Sequence, residues 1–130
     1  MNSSSVSVAK IAELLDLKNF TDEIDLKKRK ITTTDINRPA LQLTGYFEHF
    51  EESRVEIIGN VEYAYIQQMS DEEKQIRYDA FLKFDIPCVI FSRNLTPDPI
   101  FLKEALANHV PVLGTGRSTS EFTAELIYTL

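Results

Sequence analysis

Two rhythms of apolar residues alternate along the second half of the chain. Three short runs, "VEII" (55–58), "PCVIF" (87–91) and "VPVL" (110–113), are bounded by polar or turn-forming residues. Nearly continuous apolar runs of this length predict strands covered on both faces, as in a parallel sheet. The stretches between and after them repeat their apolar positions every three or four residues, the spacing of one helical face. The first such helix is predicted over 60–68 with Asn60 as its cap and Tyr63, Tyr65 and Ile66 at a core or interface. A second opens at Ser70, with Glu73 at the capping-box spacing, and carries Ile76, Ala80, Phe81 and Phe84 on its buried face. A third has Thr96 as N-cap, Pro97 at its first position, and a stripe of Phe101, Leu102, Ala105 and Leu106. The last pairs Ser118 with Glu121 and lines up Phe122, Leu126, Ile127 and Leu130. Strand, helix, strand, helix, strand, helix is the order of an α/β layered sheet, largely parallel in this half, flanked by helices and joined by right-handed crossovers.

The first half is less regular. Ser7 caps a helix predicted over 7–17, with Val8, Ile11, Ala12 and Leu15 on one face, and a polar loop follows over 19–30. "KITTTDI" (30–36) is β-branched and predicts one strand. In "INRPALQLTGYF" (36–47), Pro39 fixes its own φ and Gly45 is free to turn left-handed, so the two bracket one short helical turn or a tight extended piece over 40–44. Local punctuation leaves Arg38 and the Tyr46-Phe47 pair unexplained. At the other end the apolar stripe reaches Leu130 without a stop signal, so the sequence predicts a helix that continues into a further segment.

Composition narrows the class. With 130 residues, 43% of them apolar, the chain suffices for one domain that buries roughly two-thirds of its unfolded surface. Its single cysteine, Cys88, sits in an apolar run and predicts a buried thiol in a reducing compartment. No apolar run approaches the roughly 18 residues of a membrane span, and "MNSSSVSVAK" has no basic leader, so a cytoplasmic protein is expected. A net charge of −6 opposes a polyanion-binding surface. The one basic cluster, residues 27–30, reads as a solvated turn or strand entrance rather than a nucleic-acid patch.

Candidate chemistry gathers where helices begin after parallel strands, an edge at which free N–H groups favour anions. Two of these loops carry arginine: "SRN" with Arg93, and "GTGRSTS" with Arg117 beside Thr115, Ser118 and Thr119. They form either a small phosphate or carboxylate pocket, or a turn and a cap with solvated arginines. "GTGR" lacks the third glycine of a dinucleotide fingerprint and the Gly-Lys-Ser/Thr ending of a P-loop. His49 and His109 have no ligand partner at metal spacing, and no nucleophile, base and orienting group can be named together. No catalytic, cofactor or metal position is therefore assigned. The candidate ligand or partner contacts are Arg38, Tyr46, Phe47, Arg93, Thr115, Arg117 and Ser118.

The stretches "ITTTDINRPALQLTGYFEHFEESRVEIIGNVEYAYIQQMSDEEK", "VIFSRN" and "HVPVLGTGRSTSEF" together resemble the N-terminal domain of the HPr kinase/phosphorylase family. Arg38-Pro39 and Leu43-Thr44-Gly45-Tyr46-Phe47 match its most specific pattern, although Ala40 stands where the family often has glycine. The resemblance implies a non-catalytic domain, residues 1–130, with regulatory or assembly duties. A C-terminal P-loop kinase module, its expected partner, would follow after Leu130 and use ATP and Mg2+. In the full-length form that module phosphorylates HPr on serine with ATP or pyrophosphate and removes the phosphate by phosphorolysis, within a hexamer that regulates carbon catabolite use. It also implies a fold similar to the N-terminal domains of Mur ligases, which bind a uridine nucleotide. The residues themselves suggest the alternative of a small anionic-ligand sensor.

Overall fold

The three apolar runs lie side by side. β5 (Val55–Ile58), β6 (Val89–Phe91) and β7 (Val112–Gly114) are parallel and in register, Glu56 opposite Val89 and Val89 opposite Val112. Two outer strands complete the sheet: β4 (Ile36–Asn37) runs parallel to β5, and β2 (Lys18–Asn19) runs antiparallel to β7, giving the order β2-β7-β6-β5-β4. A separate antiparallel pair joins β1 (Val6–Ser7) to β3 (Lys30–Ile31). This architecture is that of the computed structural model, which describes residues 5–130. The reading of the first ten residues as lacking a basic leader falls partly on residues 1–4, outside that range.

Side chains alternate across the sheet with the period of two that a strand imposes. Ile58, Val89, Phe91 and Val112 face one core, closed by α2 (Ala40–Leu43), α3 (Asn60–Gln67), α4 (Asp71–Leu82) and α5 (Pro99–Ala107). Val55, Ile57, Cys88, Ile90 and Leu113 face the other, closed by α1 (Val8–Leu14) and α6 (Thr119–Thr129). Burying both faces explains why the central strands are apolar throughout, Glu56 excepted. Each large side chain removed from water there contributes about 1.5–3 kcal/mol. In the first core Phe91 meets Phe101 and Tyr63 edge-on, with ring centroids 5.2 and 6.4 Å apart.

Several helix starts follow the sequence signals. Ser7 caps α1 through Lys10 N–H at 3.0 Å, Ser70 caps α4, and Ser118 caps α6 through Glu121 N–H at 3.2 Å. Replacing Ser118 with alanine is expected to destabilise the fold by about 1 kcal/mol, read as a lower thermal midpoint with an unchanged far-ultraviolet spectrum. Between Pro39 and Gly45 the helical alternative forms, as α2 with Thr44 at its C-cap. Gly45 has φ 96°, and the Gly45 and Tyr46 N–H groups bond back to the Gln42 and Leu41 carbonyls at 2.9 and 3.2 Å, the Schellman pattern.

Other expectations need correction. "KITTTDI" is not one strand but two short ones, β3 and β4, in different sheets. The expected loop over 19–30 begins inside β2 and contains a 3-10 turn, Leu26–Lys28. α1 ends at Leu14, three residues short of the expected 17, where Asp16 turns left-handed at φ 54°. Gly59, not Asn60, occupies the cap of α3. Asp98 and Pro99, not Thr96 and Pro97, start α5, because Asp98 bonds the Phe101 N–H at 2.8 Å and also accepts the Tyr78 hydroxyl at 2.6 Å. On α4 the buried face is Tyr78, Phe81 and Leu82, leaving Ile76 exposed, and on α6 Ile127 also faces outward.

Candidate functional site at the carboxyl edge

The loops after β5, β6 and β7 do converge. Gly59 follows β5, Ser92 follows β6, and Thr115 follows β7. Ser92 and Thr119 share a buried hydroxyl–hydroxyl hydrogen bond of 2.6 Å that ties the β6 loop to the start of α6. Gly59 is packed so closely that a Cβ there would lie 2.5 Å from Thr119 Oγ1 and 2.8 Å from Arg38 Nη2, so any larger residue would displace these side chains. The β6 and β7 loops are stitched by backbone bonds of 2.9 Å, Arg93 N–H to the Arg117 carbonyl and Asn94 N–H to the Thr115 carbonyl. Arg93 and Asn94 both adopt left-handed φ, 57° and 58°, to make that turn.

Arg38 reaches this edge from the end of β4. Its Nη2 donates to Glu62 Oε1 at 2.6 Å, and the same oxygen accepts the Gly59 N–H at 2.8 Å. Glu62 is buried and sits at the third position of α3, where a carboxylate both caps the helix and meets its positive pole. The arginine thus answers a buried charge of its own domain. Arg117 is likewise engaged: Nη1 donates to the Leu15 carbonyl at 2.8 Å and Nε to Glu125 Oε1 at 2.9 Å. Thr115 is buried and its hydroxyl accepts from Arg117 at 3.2 Å; Ser118 is spent on the α6 cap. Arg93 alone among these cations is exposed with no ion pair to a described residue.

Tyr46 and Phe47 lie elsewhere. Phe47 packs against Phe50 and Phe84, ring centroids 5.7 and 5.0 Å away, while Tyr46 is exposed. The seven candidate residues therefore divide: five lie at the carboxyl edge, Phe47 belongs to an aromatic cluster beside α4, and Tyr46 is exposed to solvent. Neither Arg93 nor Arg117 lines the cavity at this edge, and Arg117 turns inward toward α1 and α6. At that edge is a cavity of ≈ 220 Å³ whose lining includes Asp16, Lys18, Phe20, Asn94, Thr115 and Gly116. Sequence reasoning missed Glu62, Ser92 and Asn94. Glu62 carried a usable signal, since it follows Gly59 by the spacing already noted at Ser70 and Ser118.

A polar group is also buried within the sheet. Glu56 Oε1 accepts from Asn37 Nδ2 at 2.7 Å, and Asn37 also donates to Gln42 Oε1 at 3.0 Å, while Glu56 Oε2 is buried with no partner. Burial raises the Glu56 carboxyl from its ordinary 4.5 to about 7, against the opposing effects of Asn37 and Arg54. Burial, with the charge of Glu56 adding, pushes the Cys88 thiol up to about 12, which removes it as a nucleophile at neutral pH. Among the described residues no cluster of three or more His, Cys, Asp or Glu is placed to hold a metal, and no helix is long and apolar enough to cross a membrane.

A mixed five-stranded sheet between two helical layers, with a carboxyl edge largely engaged by its own side chains, defines an α/β domain. The backbone superposes on the CBS and DRTGG domains of the regulatory region of Clostridium perfringens pyrophosphatase, solved with the activator diadenosine tetraphosphate. The TM-score is 0.62 at 16% identity, covering 93% of this chain and 45% of that one, a likeness of fold. The family match is specific: the family described as HPr Serine kinase N terminus matches residues 6–130, and the chain belongs to it. The HPr kinase/phosphorylase of Lachnoclostridium phytofermentans is 42% identical over 123 residues, 95% of this chain and 40% of that protein. The HPr kinase/phosphorylases of Caldicellulosiruptor bescii and Latilactobacillus sakei are 38% and 33% identical over 120 residues each. The chain spans about two-fifths of the length of these curated relatives.

Proposed function

We propose that this chain serves as the N-terminal regulatory and assembly domain of a bifunctional HPr(Ser) kinase/phosphorylase. The observation that carries the reading is the alignment: nearly all of this chain is matched by about two-fifths of each relative. In this reading the chemistry belongs to a downstream P-loop module using ATP or pyrophosphate and Mg2+, with HPr as protein substrate. That module is the domain's first partner, and the whole is a cytoplasmic hexamer in carbon catabolite regulation. A non-catalytic role is supported by the carboxyl edge, where Arg38, Arg117, Ser92 and Thr119 are bonded to groups of the domain itself. The anion-sensor alternative loses its main support with Arg117. Kinship with the N-terminal domains of Mur ligases is proposed on the layered order of strands and helices alone.

The test is direct. The purified chain, incubated with HPr, ATP and Mg2+, is expected to leave HPr at its unmodified mass, while a complete HPr kinase/phosphorylase run in parallel adds one phosphate. Phosphoserine formed by the chain itself would overturn the assignment.

A further inference from the structure

The basic cluster at 27–30 acquires a shape in the fold that the sequence does not show. At the amino edge of the sheet, opposite the loops described above, Lys28, Arg29 and Lys30 border a cleft of ≈ 290 Å³ together with Thr32 and Ser53. Its acid, Asp85, is already matched, with Oδ1 at 3.0 Å from Arg29 Nη2. The same guanidinium donates to the Ile86 carbonyl, so Arg29 is fixed in place while its Nε–H is buried without an acceptor. Lys28 and Lys30 are exposed and form no ion pair with a described residue.

The lining is thus rich in donors and poor in free acceptors. Two ammonium groups, a guanidinium and two hydroxyls suit an oxygen-rich anion, and disfavour a cation or a neutral amide. Unpaired cations gathered in a concavity repel one another and focus a positive potential, even in a chain whose net charge is −6. A phosphate dianion matches the two unpaired ammoniums in charge and offers more acceptors than a carboxylate. The cleft also has room beyond a phosphate for a small organic remainder. A polynucleotide is a poorer fit, because the chain as a whole is acidic and the cations line a recess rather than a track.

We propose that this cleft binds a small phosphate-bearing anion, through Lys28 and Lys30 with Arg29, Thr32 and Ser53. The site is independent of the assignment made above. It is tested by titrating the isotopically labelled chain with inorganic phosphate and with glycerol 3-phosphate at constant ionic strength, with sodium chloride as control, following backbone amide shifts. The expected result is saturable shifts centred on Lys28, Lys30, Thr32 and Ser53, half-complete at about millimolar concentration. The double variant Lys28→Gln/Lys30→Gln, changed at two exposed positions, should keep its spectrum elsewhere and bind at least about tenfold more weakly. Shifts that stay linear to about 20 mM, that chloride reproduces, or that the double variant leaves unaltered would each overturn the proposal.

Discussion

Replacing Arg38 with alanine is expected to lower the unfolding free energy by about 2–3 kcal/mol. Glu62 is only 3% exposed at its side chain, and its Oε1 is held by Arg38 Nη2 and the Gly59 N–H. Without the guanidinium, a buried carboxylate keeps one donor and no opposite charge, the situation in which breaking a buried pair costs about 3–5 kcal/mol. Arg38 is itself 38% exposed at its side chain, so water screens part of the interaction and the lower end applies. The double variant Arg38→Ala/Glu62→Gln should recover much of the loss, since it removes the stranded charge while keeping a group able to cap α3. Urea unfolding of the parent, both single variants and the double variant closes the cycle. A loss of less than about 0.5 kcal/mol in Arg38→Ala would mean that the arginine is free for an external ligand.

The second large effect is a dependence on pH. Glu56 titrates at about 7 in the fold against its ordinary 4.5, so the native state prefers the protonated carboxyl. For a carboxyl with a raised pKa the sign runs opposite to the usual salt-bridged acid. Its penalty is absent below about pH 4.5, grows as pH rises toward 7, and stays constant above; the interval corresponds to about 3 kcal/mol. Charged or hydrogen-bonding groups around it are few: Asn37 from β4, Gln42 from α2 beyond it, Arg54 at the start of its own strand, and the Cys88 thiol before β6. Glu56→Gln keeps the shape and the bond from Asn37 but cannot ionise. The variant should therefore gain on the parent by about 2–3 kcal/mol between pH 5 and pH 8, whatever the offset from its own buried amide. Parallel denaturation curves with a pH-independent difference would show that Glu56 does not carry the charge change.

How much of this was legible in the sequence depends on how local each signal is. Ser7, Ser70 and Ser118 act on an N–H three residues away, and their caps were readable. So were the three central strands, because burial on both faces leaves an apolar run. "KITTTDI" misled because β-branched content states a preference for extended backbone and not for a partner. Ile31 finds Val6 and Ile36 finds Val55, so the run divides between two sheets. At "TPDP" the expected cap was Thr96, but the helix starts at Asp98, which also accepts the distant Tyr78 hydroxyl. Arg117 was legible as a cation but not as a bonded one, since its acceptor at Leu15 lies 102 residues earlier. The hallmark around Arg38 was recognisable as a pattern. The partner of Arg38 in this chain, a carboxylate buried at the third position of α3, needed the strand and the helix to be brought together.

The outermost strands β2 and β4 are two residues long apiece. Such stubs expose almost no ladder onto which a foreign strand might add, a safeguard against fibrous growth that natural sheets often need. Self-association of this domain would then draw on side chains projecting from its helices. It should appear as discrete, reversible oligomers in sedimentation, without the dye response of stacked sheets.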